Sequence, residues 1–276
     1  MRVGYAVRAL VGASVGATLL MGVAVTPSHA TAVTLTGTGP DGRSASATFD
    51  TVSISGINYL TVVLTNTATY DSQISTEILT AIFFSLPGDP TLSRTVGISG
   101  AYTNPFNGSD IKNGPDVLNI GSEWAYRSGL SVSGFNQGLS SMGTDLFGSG
   151  DRFITCSDCD LQGPDAPDGI QYGITTTNDN GANDNGGIDG SELVRNSVLF
   201  LLGNISVGFD PSAWITSVRF QYGTNLAETY FGNGGNGGQE RSSRVPYPSS
   251  LALLGFGALG AVLVARRRLA VARVRS

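Results

Sequence analysis

The chain has 276 residues, of which only 13% are charged, with 38 glycines, two cysteines, one histidine and a net charge of −5. This composition is typical of an extracellular β protein and a poor fit to a helical cytosolic enzyme. The charge is uneven: residues 31–240 carry 21 acidic and seven basic side chains, a net charge of −14 that makes nucleic acid or an anionic membrane surface a poor partner. The single histidine, His29, lies outside this region, which excludes Ser-His-Asp and Cys-His catalysis and histidine-ligated zinc or copper in the body.

Residues 1–30 have the pattern of a secretory signal peptide. A basic start is followed by an uncharged stretch of small and apolar residues, 9–25, and then by a proline. Ser28 and Ala30 supply the small residues at the −3 and −1 positions of a signal-peptidase site. We therefore expect a cleavable signal helix and a mature chain that begins at Thr31. The alternative, an uncleaved membrane anchor, does not account for the proline and the small residues.

Residues 31–231 show the pattern of a single domain of strands and turns. The continuous apolar run 78–86 predicts a strand buried on both faces, and Ser55-Gly56 predicts a tight turn. About nine short strands without a convincing amphipathic helix predict an all-β fold, an antiparallel β-sandwich or jelly roll. The predicted strands are residues 33–38, 45–55, 58–66, 78–86, 93–99, 123–128, 169–177, 197–202 and 215–222.

Cys156 and Cys159 form a C-x-x-C pair. In a reducing compartment this spacing would indicate redox chemistry or half of a zinc site, but there is no second pair and no βαβ context. In an exported protein the simpler interpretation is a local disulfide that closes a surface loop.

An acidic loop, residues 178–191, is rich in Asn, Asp and Gly. Carboxylate and amide oxygens among glycines are the ligands that Ca²⁺ prefers. The spacing does not match the EF-hand loop, and Asn and Asp are also favoured in turns for backbone reasons, so a solvated loop without a metal is the simpler alternative. A weaker acidic cluster lies at 158–168. The candidate calcium ligands are Asp179, Asp184, Asp189 and Glu192.

The C-terminal region has the pattern of a second targeting signal. Residues 232–244 have the composition of a Gly/Asn-rich linker. In residues 245–276, a Pro-x-Pro-Ser-Ser motif precedes the uncharged segment 249–265, whose 17 residues would measure roughly 25 Å as a helix, just enough to cross a thin membrane. An arginine cluster follows and is expected to stay cytoplasmic by the positive-inside rule, so the body faces outward. An ordinary C-terminal membrane helix would explain the span but not the motif before it.

This combination resembles the PEP-CTERM sorting signal. All but one of the residues of the predicted signal match; they are Val245, Pro246, Tyr247, Pro248, Ser249, Ser250, Arg266, Arg267 and Arg268. The resemblance implies recognition by an exosortase, a transpeptidase-like membrane enzyme of Gram-negative bacteria that make exopolysaccharide. Tyr247 stands where the family usually has Glu, and eight residues follow the arginines where the family usually ends sooner. The order of segments 148–153, 163–164, 167–174, 196–198 and 220–224 also resembles a group of exosortase-dependent surface proteins without an assigned activity.

These features predict a protein that is not an enzyme and that is exported through the inner membrane to the cell surface or extracellular matrix. Its expected role is that of a structural or interaction component, with signal peptidase and exosortase as partners during export and with transient or retained anchoring through the C-terminal segment. The alternative is a calcium-dependent module that binds exopolysaccharide. A third hypothesis, a glycosidase with two catalytic carboxylates, has no sequence signature here.

Overall fold

A computed structural model describes residues 25–27, 31–99, 102–105, 120, 123–142, 170–179, 188 and 191–232. Several predicted features lie outside these residues: the cleavage site at Ser28 and Ala30, the cysteines Cys156 and Cys159, the candidate ligands Asp184 and Asp189, and the sorting signal from Val245 to Arg268. Within the described ranges, no helix has the length and apolar character needed to cross a membrane.

The described residues contain fourteen strands, one short α-helix, α1 (Pro211–Trp214), and two 3-10 helices of one turn each, Pro40–Gly42 and Ser75–Glu77. The strands are β1 (Val25–Pro27), β2 (Val33–Thr38), β3 (Ser44–Ile54), β4 (Ile57–Asn66), β5 (Leu79–Phe84), β6 (Ser93–Ser99), β7 (Tyr102–Pro105), β8 (Ala125–Val132), β9 (Phe135–Ser140), β10 (Ile174–Thr175), β11 (Glu192–Arg195), β12 (Ser197–Gly203), β13 (Val218–Tyr222) and β14 (Tyr230–Phe231).

Six strands form the first sheet, in the order β1-β3-β4-β12-β6, with β2 pairing on the same edge of β3 as β1. All its pairings are antiparallel. The β3–β4 hairpin turns at Ser55 and Gly56, whose φ angles of 53° and 82° are those of the type I′ turn that suits the twist of a hairpin. The predicted tight turn is confirmed here.

The second sheet has eight strands, in the order β14-β13-β5-β10-β11-β7, and β9 joins β8 to the edge of β5. Its one parallel pair among the described strands is β10 with β11, where Ile174 lies opposite Val194. All six residues of β5 are buried, which confirms the prediction of a strand covered on both faces. β5 also pairs with β13 on one edge and with β9 and β10 on the other, so it lies at the centre of this sheet.

The two sheets share one apolar core. Phe49 of β3 lies 5.2 Å from Phe84 of β5, measured between ring centroids, and Trp124 beside β8 lies 4.9 Å from Phe200 of β12. These ring pairs join the first sheet to the second, and the buried residues around them come from both. The all-β prediction is confirmed as two sheets that pack around a common core.

Some of the strand predictions are wrong because tertiary contacts, and not the local sequence, set where these strands begin and end. The predicted strand 169–177 is reduced to β10 because a turn at Tyr172, with φ of 55°, precedes it, and the predicted strand 215–222 begins only at Val218 because α1 comes first. β9 was not predicted, since its sequence, Phe-Asn-Gln-Gly-Leu-Ser, lacks β-branched residues. Its position is set by pairing with β5 and β8.

Candidate functional site

The acidic loop joins the two parallel strands β10 and β11, and its base is well anchored. On one side the Asn178 side-chain amide donates a hydrogen bond to the Thr69 carbonyl at 2.7 Å. On the other side Ile188 is fully buried, and the Ser191 amide donates to the Ile188 carbonyl at 3.1 Å. The strands and these contacts hold both ends of the loop in place.

Of the four candidate calcium ligands, Asp179 and Glu192 are described, and the structure does not bring them together. Glu192 lies two residues before Val194, so the parallel register places it beside Tyr172, before β10 begins. Asp179 lies four residues after β10 ends, and only 2% of it is exposed. The two carboxylates therefore sit at opposite ends of β10, and a single ion in the loop would take at most one of them as a ligand.

Glu192 has a partner that the sequence does not indicate. The Tyr172 hydroxyl donates a hydrogen bond to the Glu192 carboxylate, and the Tyr172 amide donates to the Glu192 carbonyl at 2.6 Å. The Trp124 indole N–H donates to the Tyr172 carbonyl at 2.9 Å, which fixes this turn against the core. Burial first, and then the hydrogen bond and charge of Glu192 and the charge of Glu123, raise the pKa of Tyr172. The tyrosine thus remains a neutral donor, and one carboxylate oxygen of Glu192 is occupied.

Glu123 and Glu192 both lie near Tyr172, which makes them the carboxylates to consider for glycoside hydrolysis. In that chemistry, two carboxyl groups flank the scissile glycosidic bond, one as the acid and the other as the nucleophile or base. Here an oxygen of Glu192 accepts from Tyr172, and the contact ties β11 to the turn before β10. The arrangement favours a structural role for Glu192. Among the described residues, no group of three or more His, Cys, Asp and Glu side chains is placed to hold a metal ion.

Arg219 of β13 is a second polar feature that the sequence analysis missed. Only 7% of it is exposed, and its guanidinium donates to the Ser133 hydroxyl at 2.6 Å, the Gln221 side-chain carbonyl at 2.7 Å and the Leu226 carbonyl at 2.8 Å. The Tyr230 ring covers it at 3.7 Å from the guanidinium carbon to the ring centroid. Burial lowers the pKa of Arg219. The available sequence signal was its position between Val218 and Phe220, which face the core, so that Arg219 faces the other side of the sheet.

A small pocket lies beside Arg219, lined also by Ser133, Phe135 and Tyr230. Its free volume is about 10 Å³, room for about one water molecule. A sugar ring or a nucleotide does not fit there. Arg219 thus joins the β8–β9 turn and the segment after β13 to the sheet through hydrogen bonds. Its role is structural.

Comparisons with models of protein families, with curated proteins and with solved structures gave no match for this chain.

Proposed function

We propose that this protein is exported, sorted by an exosortase-type enzyme through its C-terminal signal, and displayed at the cell surface or in the extracellular matrix as a structural or interaction component. The observation that carries the proposal is the order of three features: the Pro-x-Pro-Ser-Ser motif at 246–250, the uncharged segment 249–265 and the cluster at 266–268. Each has a separate physical role, namely recognition, membrane insertion and retention of the tail on the cytoplasmic side.

The fold supports this division of the chain. Phe231 of β14 is buried and packs on Phe220 and Tyr222, with ring centroids 5.9 and 5.3 Å apart. The packed body therefore extends to Phe231, and the sequence with linker composition begins at the next residue, Gly232. In the proposed molecule, a cleavable signal helix precedes an antiparallel β-sandwich or jelly roll, and a membrane helix follows the linker.

The experiment is the intact mass of the protein isolated from cells with and without the exosortase. We expect the form from cells with the enzyme to lack residues 1–30 and residues from about 249 onward, and the form from cells without it to keep the C-terminal segment. A matched variant, Pro246→Ala with Pro248→Ala, should keep the segment even when the enzyme is present. A mature protein that retains residues 249–276 beside an active exosortase would contradict the proposal.

The anchored base of the acidic loop favours one second candidate, a calcium-dependent carbohydrate-binding module. Asn178 and Ile188 hold the two ends of the loop, and fixed ends reduce the number of conformations that the chain between them loses when an ion is bound. This candidate is tested by the change in melting temperature that millimolar calcium causes.

A further inference from the structure

Three large apolar side chains are exposed on two neighbouring segments. Ile57 is 46% exposed, Val207 89% and Trp214 55%. We call these three residues the tip surface. Ile57 follows the β3–β4 turn, while Val207 and Trp214 lie in the connection 204–217 between β12 and β13. The two segments are joined, because the Ile205 amide donates to the Asn58 carbonyl at 3.3 Å.

The exposure of Trp214 is built into the fold. It is the last residue of α1, whose first turn is capped by Asp210, which accepts from the Ser212 amide at 3.0 Å and the Ser212 hydroxyl at 2.7 Å. The next residue, Ile215, is 1% exposed and belongs to the core. Because the chain is fixed on both sides of Trp214, the indole is held outward.

The chain enters and leaves the body next to the tip surface. In β1, Val25 lies opposite Ile54, the residue before the β3–β4 turn. At the other terminus, β14 runs antiparallel to β13, so that Gly232 lies against the carbonyl of Val218, four residues after Trp214. The chain toward the predicted membrane segment 249–265 therefore leaves the described body beside these exposed side chains.

The chemistry of the tip surface is that of contact with lipid. Tryptophan is enriched at the boundary between headgroups and acyl chains, where an exposed apolar side chain loses its contact with water. Residues 55–58 and 204–214 contain one charged side chain, Asp210, and its carboxylate is used as the helix cap. These segments have no basic side chain that could attract anionic headgroups. Contact with lipid would therefore depend on insertion of the apolar side chains.

We propose that, before the exosortase removes the C-terminal segment, the tip surface docks on the lipid surface of the membrane that holds this segment, so that the body contacts the bilayer through Ile57, Val207 and Trp214. The proposal rests on the proposed function, since the membrane segment of the unprocessed chain supplies the tether. Three side chains bind lipid weakly by themselves, but a tether raises their effective concentration at the surface. The docked body would present the opposite end of the sheets, where Ser44 and Asn66 lie, away from the membrane.

The test uses the full chain reconstituted into phosphatidylcholine vesicles, with part of the lipid brominated so that it quenches tryptophan emission on contact. The chain has two tryptophans, and Trp124 is fully buried, so quenching reports on Trp214. We expect quenching in the natural chain and its loss in Trp214→Phe. Val207→Ser and Ile57→Ser should each weaken it.

The matched control is Ile74→Ser. Ile74 is 38% exposed and precedes the turn Ser75–Glu77, which lies against Gly223 at the other end of β13 from Val218. It is an apolar side chain of the same kind at a distant position, and its removal should leave the quenching unchanged. An equal loss in Ile74→Ser would overturn the assignment to the tip surface.

Sorting is measured by the intact mass, and two readouts here separate docking of the tip surface from membrane anchoring by the C-terminal segment. If the chain stays with the vesicles after an alkaline wash but Trp214 is not quenched, docking is wrong and anchoring stands. If the chain is washed off, anchoring fails and docking fails with it. Quenching that requires anionic lipid and disappears at high salt would overturn the apolar mechanism. Protection of Trp214 without lipid that grows with protein concentration would assign the surface to a second copy instead.

Discussion

Buried polar side chains join the two sheets at single residues. Tyr222 of β13 is fully buried, and its hydroxyl lies 2.9 Å from the Ser44 carbonyl and 3.1 Å from the side-chain oxygen of Asn66, both in the first sheet. Asn66 in turn donates to the Ile174 carbonyl of the second sheet at 3.0 Å. The Ser44 carbonyl also accepts from the Thr67 amide at 2.9 Å, and the Asn66 side-chain oxygen also accepts from the Ala68 amide at 3.3 Å, so each acceptor keeps one donor if the hydroxyl is lost.

We expect Tyr222→Phe to lower the free energy of unfolding by about 0.5–1.5 kcal/mol at pH 7, because the variant loses the hydroxyl hydrogen bond between the sheets while Ser44 and Asn66 each keep an amide donor. The measurement is urea unfolding. The control is Tyr59→Phe, at a half-buried tyrosine on the first sheet, which should cost much less. Equal losses in the two variants would show that the hydroxyl bond contributes nothing specific.

The same residue makes a prediction about alkaline pH. Burial raises the pKa of Tyr222 well above its usual value. Between the usual value of about 10 and the raised value, the folded chain binds more protons than the unfolded chain, so the free energy of unfolding falls as the pH rises above about 10. Tyr222→Phe should show a smaller fall over that range. An unchanged slope would contradict this assignment.

At the scale of elements, the acidic loop combines a predictable and an unpredictable part. Its length and its Asn, Asp and Gly content are visible in the sequence, but β11, which follows the loop, was not predicted, and β10 is shorter than the predicted strand 169–177. The direction of these strands is not visible in the sequence either, and their parallel pairing places Asp179 and Glu192 at opposite ends of β10. The contact between Tyr172 and Glu192 joins residues 20 positions apart, which no local pattern indicates.

For calcium, we expect a rise in melting temperature at millimolar concentration, since an ion that binds only the folded chain stabilises it. The rise should be lost in the double variant Asp184→Ala and Asp189→Ala and kept in Tyr172→Phe, which frees an oxygen of Glu192 without touching the middle of the loop. The control Asp41→Asn removes a carboxylate that is 81% exposed on another turn and should leave the response intact. No response of the natural chain would remove the calcium candidate.

At the scale of the whole molecule, one edge of the first sheet depends on the predicted leader. β1 and β2 pair with the same edge of β3, β2 with residues 44–49 and β1 with residues 52–54. The predicted cleavage after Ala30 falls between them. Removal of the leader therefore takes β1 away and leaves one edge of residues 52–54 open, beside the tip surface.

This gives a prediction for amide hydrogen exchange. In a chain cleaved after Ala30, a peptide that covers residues 52–54 should exchange faster than in the uncleaved chain, because backbone groups bonded to β1 become exposed to water. A peptide that covers residues 44–49 is the internal control, since β2 remains. Unchanged exchange at 52–54 would mean that β1 does not protect this edge.

The sequence by itself determined the all-β character, the tight turn at Ser55 and Gly56 and the fully buried strand β5. Periodicity, turn residues and apolar runs are local properties, and each of these elements is specified within a few residues. It also carries the two terminal patterns, the predicted signal peptide and the predicted sorting signal, on which the proposed function depends.

Only the tertiary structure decided which side chains meet. The parallel pairing of β10 with β11, the burial of Arg219 under Tyr230, and the position of Trp214 beside the point where the chain leaves the body all depend on contacts between distant segments. The physical reason is that strand order and direction follow from how two sheets bury a common core. The free energy of that burial belongs to the whole set of strands and to none of them alone.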